Sequence, residues 1–227
     1  MKKIILLLII ISFIFSCKNN TKIKDNEFQI KARINGCDAC MLYLEEVGIG
    51  KSVLIDSNKA NSQGEVSFVS KISIAGLYDL KLNKNNFIRL LIDKGEIIEL
   101  TANAKQMSKN YEVKGSAGSL LLKNLYDKYF SSLAVIDSLT ALYNKNKLSP
   151  DFLKIKNSID SSYKFLIIDY KNFIRKFVSD NDTSLSSLIA IYQKLGSINI
   201  LHLADTNDFK YFEKLDKSLI SKYPDNI

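Results

Sequence analysis

Three cysteines and a single histidine are the residues of this 227-residue chain best suited to chemistry. Cys37 and Cys40 form a Cys-x-x-Cys inside "INGCDACMLYLEE", Ile34 to Glu46. Such a pair can exchange disulfides, supply half of a zinc site, or close a turn. Fast exchange needs a thiolate, and a helix N-terminus commonly supplies the field that lowers a thiol pKa. Here Asn35-Gly36 reads as a turn and Met41-Leu42-Tyr43-Leu44 as a strand, so no helix dipole is expected at the pair. Asp38 lies between the thiols, and its charge opposes their ionisation. Zinc needs about four ligands. His202 is far away in sequence, so no metal and no other cofactor is assigned. An oxidising compartment would join Cys37 to Cys40. A structural or incidental disulfide is therefore the first reading, and a functional redox dithiol the second.

The other candidates are weaker. Asp56, Asp79, Asp93, Glu96, Asp137 and Asp160 are scattered carboxylates. Asp56-Ser57 and Asp93-Lys94-Gly95-Glu96 have the composition of turns, in which Asp and Ser bond their own backbone. "GSAGS", Gly115 to Ser119, lacks the Gly-Lys-Ser/Thr ending of a phosphate loop and reads as a helix cap through Ser116 and Ser119. A Ser-His-Asp triad could use only His202, and no nucleophile is suggested beside it. The catalytic set is left empty, and the reading leans away from an enzyme.

The first residues point to a compartment. Met1-Lys2-Lys3 is basic, and Ile4 to Phe15 is apolar except for Ser12. That run is shorter than the roughly 20 residues a spanning helix needs and has the proportions of a secretory signal. It ends in Ile14-Phe15-Ser16-Cys17, which resembles the lipobox of bacterial lipoproteins, with Phe15 bulkier than usual. The resemblance implies a signal over residues 1–16, acylation of Cys17 and a membrane lipid anchor. An ordinary signal cut near Ser16 is the alternative. Residues 17–27 are polar and read as a flexible tether. Lys18-Asn19-Asn20 after the cysteine favours the periplasmic face.

Composition is that of a globular protein, 46% hydrophobic and 25% charged. The formal net charge is +8, to which Lys2 and Lys3 contribute, and the basic residues are interleaved with acids. Arginine occurs only at 33, 89 and 175. Nucleic-acid readers cluster Arg and Lys, so nucleic acid is excluded as a partner. Oligomeric state is left open.

The elements that must position these residues change period partway along the chain. Ahead of Gly115 apolar residues alternate, as in Phe28, Ile30, Ala32 and Ile34, with turn signals between the runs. Strands are predicted near 28–35, 41–46, 52–58, 65–70, 76–82, 87–92, 96–102 and 110–113, forming an antiparallel sandwich-like domain over 28–114. From 115 to 227 the spacing is helical. A first long helix carries Leu122, Leu125, Tyr129 and Leu133. Ser149-Pro150-Asp151 starts a second, with Ser149 as N-cap. A third runs from Asp182 to a stop at Gly196, and a fourth from Asp205 to Pro224. The two long helices are expected to form a hairpin, and the aromatic stripes to be core. The fold class is α+β.

Several phrases form a set: "IDSNKANSQGEVSF" from Ile55, "AGLYDLKL" from Ala75, "FIRLLIDKGEIIELTANA" from Phe87, "YEVKGSAGSLLLKNL" from Tyr111, "SLIAIYQKLG" around Leu188 and "DFKYFEKLDKSLISKYPD" from Asp208. In order and spacing they resemble the N-terminal domain of unknown function that precedes the thioredoxin-like domain in certain bacterial envelope lipoproteins. Those proteins are thiol–disulfide oxidoreductases. The resemblance runs from about Phe28 to the C-terminus and implies an envelope accessory or interaction module, with envelope proteins or a thioredoxin-like domain as partners. The sequence holds no tryptophan, so the Trp-Cys-x-x-Cys phrase of the catalytic domain has no counterpart, and no catalytic residue is carried over. The expectation is a stand-alone or shortened form of the accessory region.

Overall fold

A computed structural model describes residues 23–224. The signal segment, Cys17 and the start of the tether lie outside the described residues. Eight strands build two four-stranded sheets. They are β1 (Glu27–Asn35), β2 (Met41–Val47), β3 (Ser52–Lys59), β4 (Glu65–Lys71), β5 (Gly76–Asn83), β6 (Asn86–Ile92), β7 (Ile97–Asn103) and β8 (Tyr111–Lys114). One sheet has the order β4-β1-β7-β8, the other β3-β2-β5-β6. All pairings are antiparallel except β1 with β7, which run parallel in the register Ile30↔Ile98 and Ala32↔Leu100. The expected tether ends at residue 27, where β1 has already opened. Ile72 N–H donates to Asn26 O, and Glu27 already belongs to β1.

Alternation places the core. Phe28, Ile30, Ala32 and Ile34 of β1, with Ile98 and Leu100 of the neighbouring β7, pack in one core with Leu42 and Leu44 of β2 and Tyr78 and Leu80 of β5. Lys31 and Arg33 point to the other face. At Gly64 the backbone has φ +76°, and a Cβ would collide with the Ile34 carbonyl, so only glycine fits the β3–β4 connection there. The Asp56-Ser57 turn is not formed. Both residues lie within β3, beside a register shift at Leu44/Glu45, because the strand continues through a bulge there.

Four helices follow: α1 (Ala117–Asn146), α2 (Phe152–Asp180), α3 (Leu185–Ile191) and α4 (Thr206–Lys222). α1 and α2 form the long hairpin. Ser149 stands two residues ahead of the N-cap, which is Asp151. Phe152 N–H donates to Ser149 O, and the α ladder opens only at Ile155 N–H to Asp151 O. The third helix is shorter than its sequence suggests. It ends at Ile191, and Lys194–Leu195 (β9) pairs with Ile198–Asn199 (β10) across Gly196-Ser197. Gly196, at φ +62°, turns this small hairpin instead of capping a helix.

α1 packs on the outer face of the second sheet at its β6 edge. Leu91 of β6, pointing away from the sandwich core, joins Leu122, Leu125, Tyr170, Ile174 and Leu195 in a second core. β6 is an edge strand, and its free edge is closed by serines. Ser119 Oγ accepts from Leu91 N (3.2 Å) and donates to Leu91 O (2.9 Å). Ser116 Oγ, the N-cap of α1, accepts from Ser119 N (3.1 Å) and lies 3.0 Å from the same carbonyl. The two serines expected to cap the helix thus also bind it to the sheet. Gly118 sits where a Cβ would press on Leu91.

Candidate functional site

Cys37 and Cys40 are joined across the β1–β2 turn, with Cα atoms 5.3 Å apart. Gly36 at φ +80° and Ala39 at φ +51° bend the chain back on itself. The turn is tied to the β3–β4 connection by Ala60 N–H donating to Cys40 O (2.9 Å) and Ala39 N–H to Asn61 O (3.4 Å). Cys37 is buried and belongs to the sandwich core, while Cys40 packs at its margin, half-buried. Cys40 is therefore the less buried residue of the pair. Met41 opens β2 directly, so the pair lies between strands and not at the start of any described helix.

The carboxylates fall into separate places. Asp56 accepts from Ser57 N (2.7 Å) and Asn58 Nδ2 (2.9 Å). Asp93 and Glu96 form the expected turn: Lys94 N–H donates to Asp93 Oδ1 (2.7 Å), and Asp93 N–H to Glu96 Oε2 (3.0 Å). Burial pushes the Glu96 carboxyl above its ordinary value, against the pull of the Asp93 N–H. Asp160 pairs with Lys156 on the surface of α2, and Asp137 is exposed on α1. These groups do not converge.

Two ion clusters were not anticipated. Asp79, 2% exposed on β5, receives Arg89 of β6 at both oxygens, 2.8 and 3.0 Å. Its cross-strand neighbour Arg89 pairs with it directly, and the guanidinium lies over Phe87. The Asp79 hydrogen bond is the main cause that raises the Arg89 pKa, against desolvation. Asp208, fully buried in the first turn of α4, receives Arg175 Nε (3.0 Å) and Nη2 (2.6 Å), Lys171 Nζ (2.7 Å) and the His202 backbone N–H (3.1 Å). Burial alone would raise its pKa, but the bonds from Lys171 and Arg175 outweigh it and hold the carboxyl below its ordinary range. His202 touches this aspartate through its backbone N–H, and the carboxylate is already bonded to two cations. Two of the three arginines serve these clusters. In a lysine-rich chain that rarity was the available signal, since a planar fork suits a buried carboxylate better than an ammonium does. Among the described residues no group of three or more His, Cys, Asp or Glu is placed to hold a metal.

An apolar groove lies elsewhere. A groove of about 500 Å³ runs between α3 and α4. Leu188, Tyr192, Phe209, Phe212 and Ile220 line it. Tyr192 is 63% exposed and Phe209 50% exposed, so the α4 stripe expected to be core is only partly so. Among the described residues α4 packs mainly on α2 and α3.

No family model and no curated protein matches this chain. Among solved structures, the Klebsiella pneumoniae 5-hydroxyisourate hydrolase is similar at 12% identity, covering 42% of this chain and 96% of that one, with a TM-score of 0.26. At that level the likeness carries no argument about activity. Among the described residues no helix is long and apolar enough to cross a membrane.

Proposed function

We propose that this chain is a lipid-anchored protein of the bacterial envelope, facing the periplasm, that acts as a non-catalytic accessory or interaction module related to the N-terminal region of thioredoxin-like oxidoreductases. The observation that carries the reading is the disposition of the reactive groups. The most buried carboxylates, Asp79 and Asp208, are bonded to arginine, and the buried cysteine is closed into a turn beside strands. Large apolar side chains are meanwhile left open on α3 and α4. Surfaces of that kind serve contacts more readily than turnover.

The anchor rests on the sequence around Cys17 and is tested directly. Cells expressing the chain are grown with labelled palmitate and fractionated. Label on the protein and recovery in the membrane fraction, both lost in Cys17→Ala, support the proposal. An unlabelled, freely soluble product contradicts it. The competing reading, a dithiol redox protein, takes its support from Cys40, which is only half-buried.

A further inference from the structure

The groove between α3 and α4 has a charge pattern as well as an apolar lining. Phe209, Glu213, Asp216 and Ile220 follow one another at i, i+4, i+7 and i+11, one stripe along α4. All four are exposed and line the groove. The stripe therefore reads apolar, acidic, acidic, apolar. Among the described residues no lysine or arginine lines this groove, in a chain whose net charge is +8. The partners of α4's other charges lie off the stripe: Lys214 reaches Asp182, and Lys222 reaches the Thr183 carbonyl. Glu213 is bonded to Lys217 on the surface. Leu188 and Tyr192 of α3 form the opposite wall. From Phe209 to Ile220 the stripe spans about 16 Å, three turns of helix.

We propose that this groove docks an amphipathic helix of a partner protein. The partner presents large apolar side chains at both ends of a seam and lysine or arginine at its centre. The apolar ends fill the Phe209 and Ile220 walls, and the central cations meet Glu213 and Asp216. Helix-in-groove recognition uses anchors at this spacing. Lys217 competes for Glu213, while Asp216 stands beside it in the groove, and exposed charges farther off than about 8 Å are screened at physiological salt. This inference deepens the interaction-module reading and rests on it.

The test uses the full chain and two fluorescein-labelled helical peptides of about 16 residues. One carries a Leu-Lys-Lys-Leu stripe at the spacing above, the other Leu-Glu-Glu-Leu. Fluorescence anisotropy is expected to show the lysine peptide binding about tenfold more tightly, the scale of two exposed ion pairs with good geometry. The preference shrinks with added salt, and Glu213→Lys with Asp216→Lys reverses it. Phe209→Ala weakens both peptides while the circular dichroism spectrum is retained. Equal affinity for the two peptides, no binding of either, or a self-association of the chain that Phe209→Glu abolishes would each overturn the proposal. Thiol turnover is scored separately, so failure of the groove and failure of the non-catalytic reading are distinguishable.

Discussion

Asp208→Ala is the substitution with the largest expected cost outside the cores. The carboxylate is fully buried and holds four hydrogen bonds, from Arg175 twice, from Lys171 and from His202 N–H. Removing one member of a buried ion pair costs about 3–5 kcal/mol, because the remaining charge is stranded. Here the stranded charges are not fully enclosed, since the Lys171 and Arg175 side chains are 24% and 25% exposed. Both can turn to water, so a loss of about 2–4 kcal/mol is expected. For a chain of this size that lowers Tm by roughly 5–15 °C. Asp208→Asn keeps the shape and an acceptor for His202 N–H, and is expected to lose less. The sign of the pH dependence follows from the depressed pKa of Asp208. Its contribution is present above the ordinary aspartate value near 3.8 and is lost as pH falls through the lower folded value. Urea titrations of wild type and Asp208→Asn should therefore diverge at neutral pH and converge at the acidic end. A change under about 1 kcal/mol for Asp208→Ala, or a gap between the two proteins that widens in acid, would show that the cluster does not hold α4 to α2.

Three further predictions rest on single groups. Ser119→Ala leaves the Leu91 N–H on the β6 edge without its partner and should cost about 1–3 kcal/mol in urea unfolding, together with faster amide exchange at Leu91. Tyr170→Phe should be neutral or mildly stabilising, because the Tyr170 hydroxyl is buried without a hydrogen-bond partner. A clear loss of stability there would mean that the hydroxyl is bonded after all. Cys37→Ser with Cys40→Ser removes a bridge across four residues and should lower stability by about 2 kcal/mol or less, the scale of a small closed loop, measured against the oxidised wild type.

Much of the sandwich was legible because its signals are local. Phe28 to Ile34 alternate with polar residues, and glycines with positive φ, such as Gly36 and Gly64, stand at the turns, so strand ends could be placed closely. The parallel pairing of β1 with β7 was not legible. It joins residues about 70 apart, and nothing in either strand states its partner's direction. Gly196 was ambiguous in itself, since a glycine with positive φ can end a helix or turn a two-residue hairpin. The Asp208 cluster was hidden for the same reason as the parallel pair: Arg175 and Asp208 are 33 residues apart. The groove was misread because helical spacing tells which side chains share a face, and not whether a neighbour covers that face. Phe209 and Tyr170 have the same kind of spacing, and one is half exposed while the other is fully buried.

The central claim is that this molecule works through contacts and that Cys37–Cys40 is a closed structural bridge. Insulin reduction by the full chain, with dithiothreitol as the electron source and the double Cys37→Ser, Cys40→Ser variant alongside, tests it most directly. The account predicts that both proteins give the uncatalysed rate and that the wild-type pair has a reduction potential below about −300 mV. Turnover well above background that the double variant loses would contradict it.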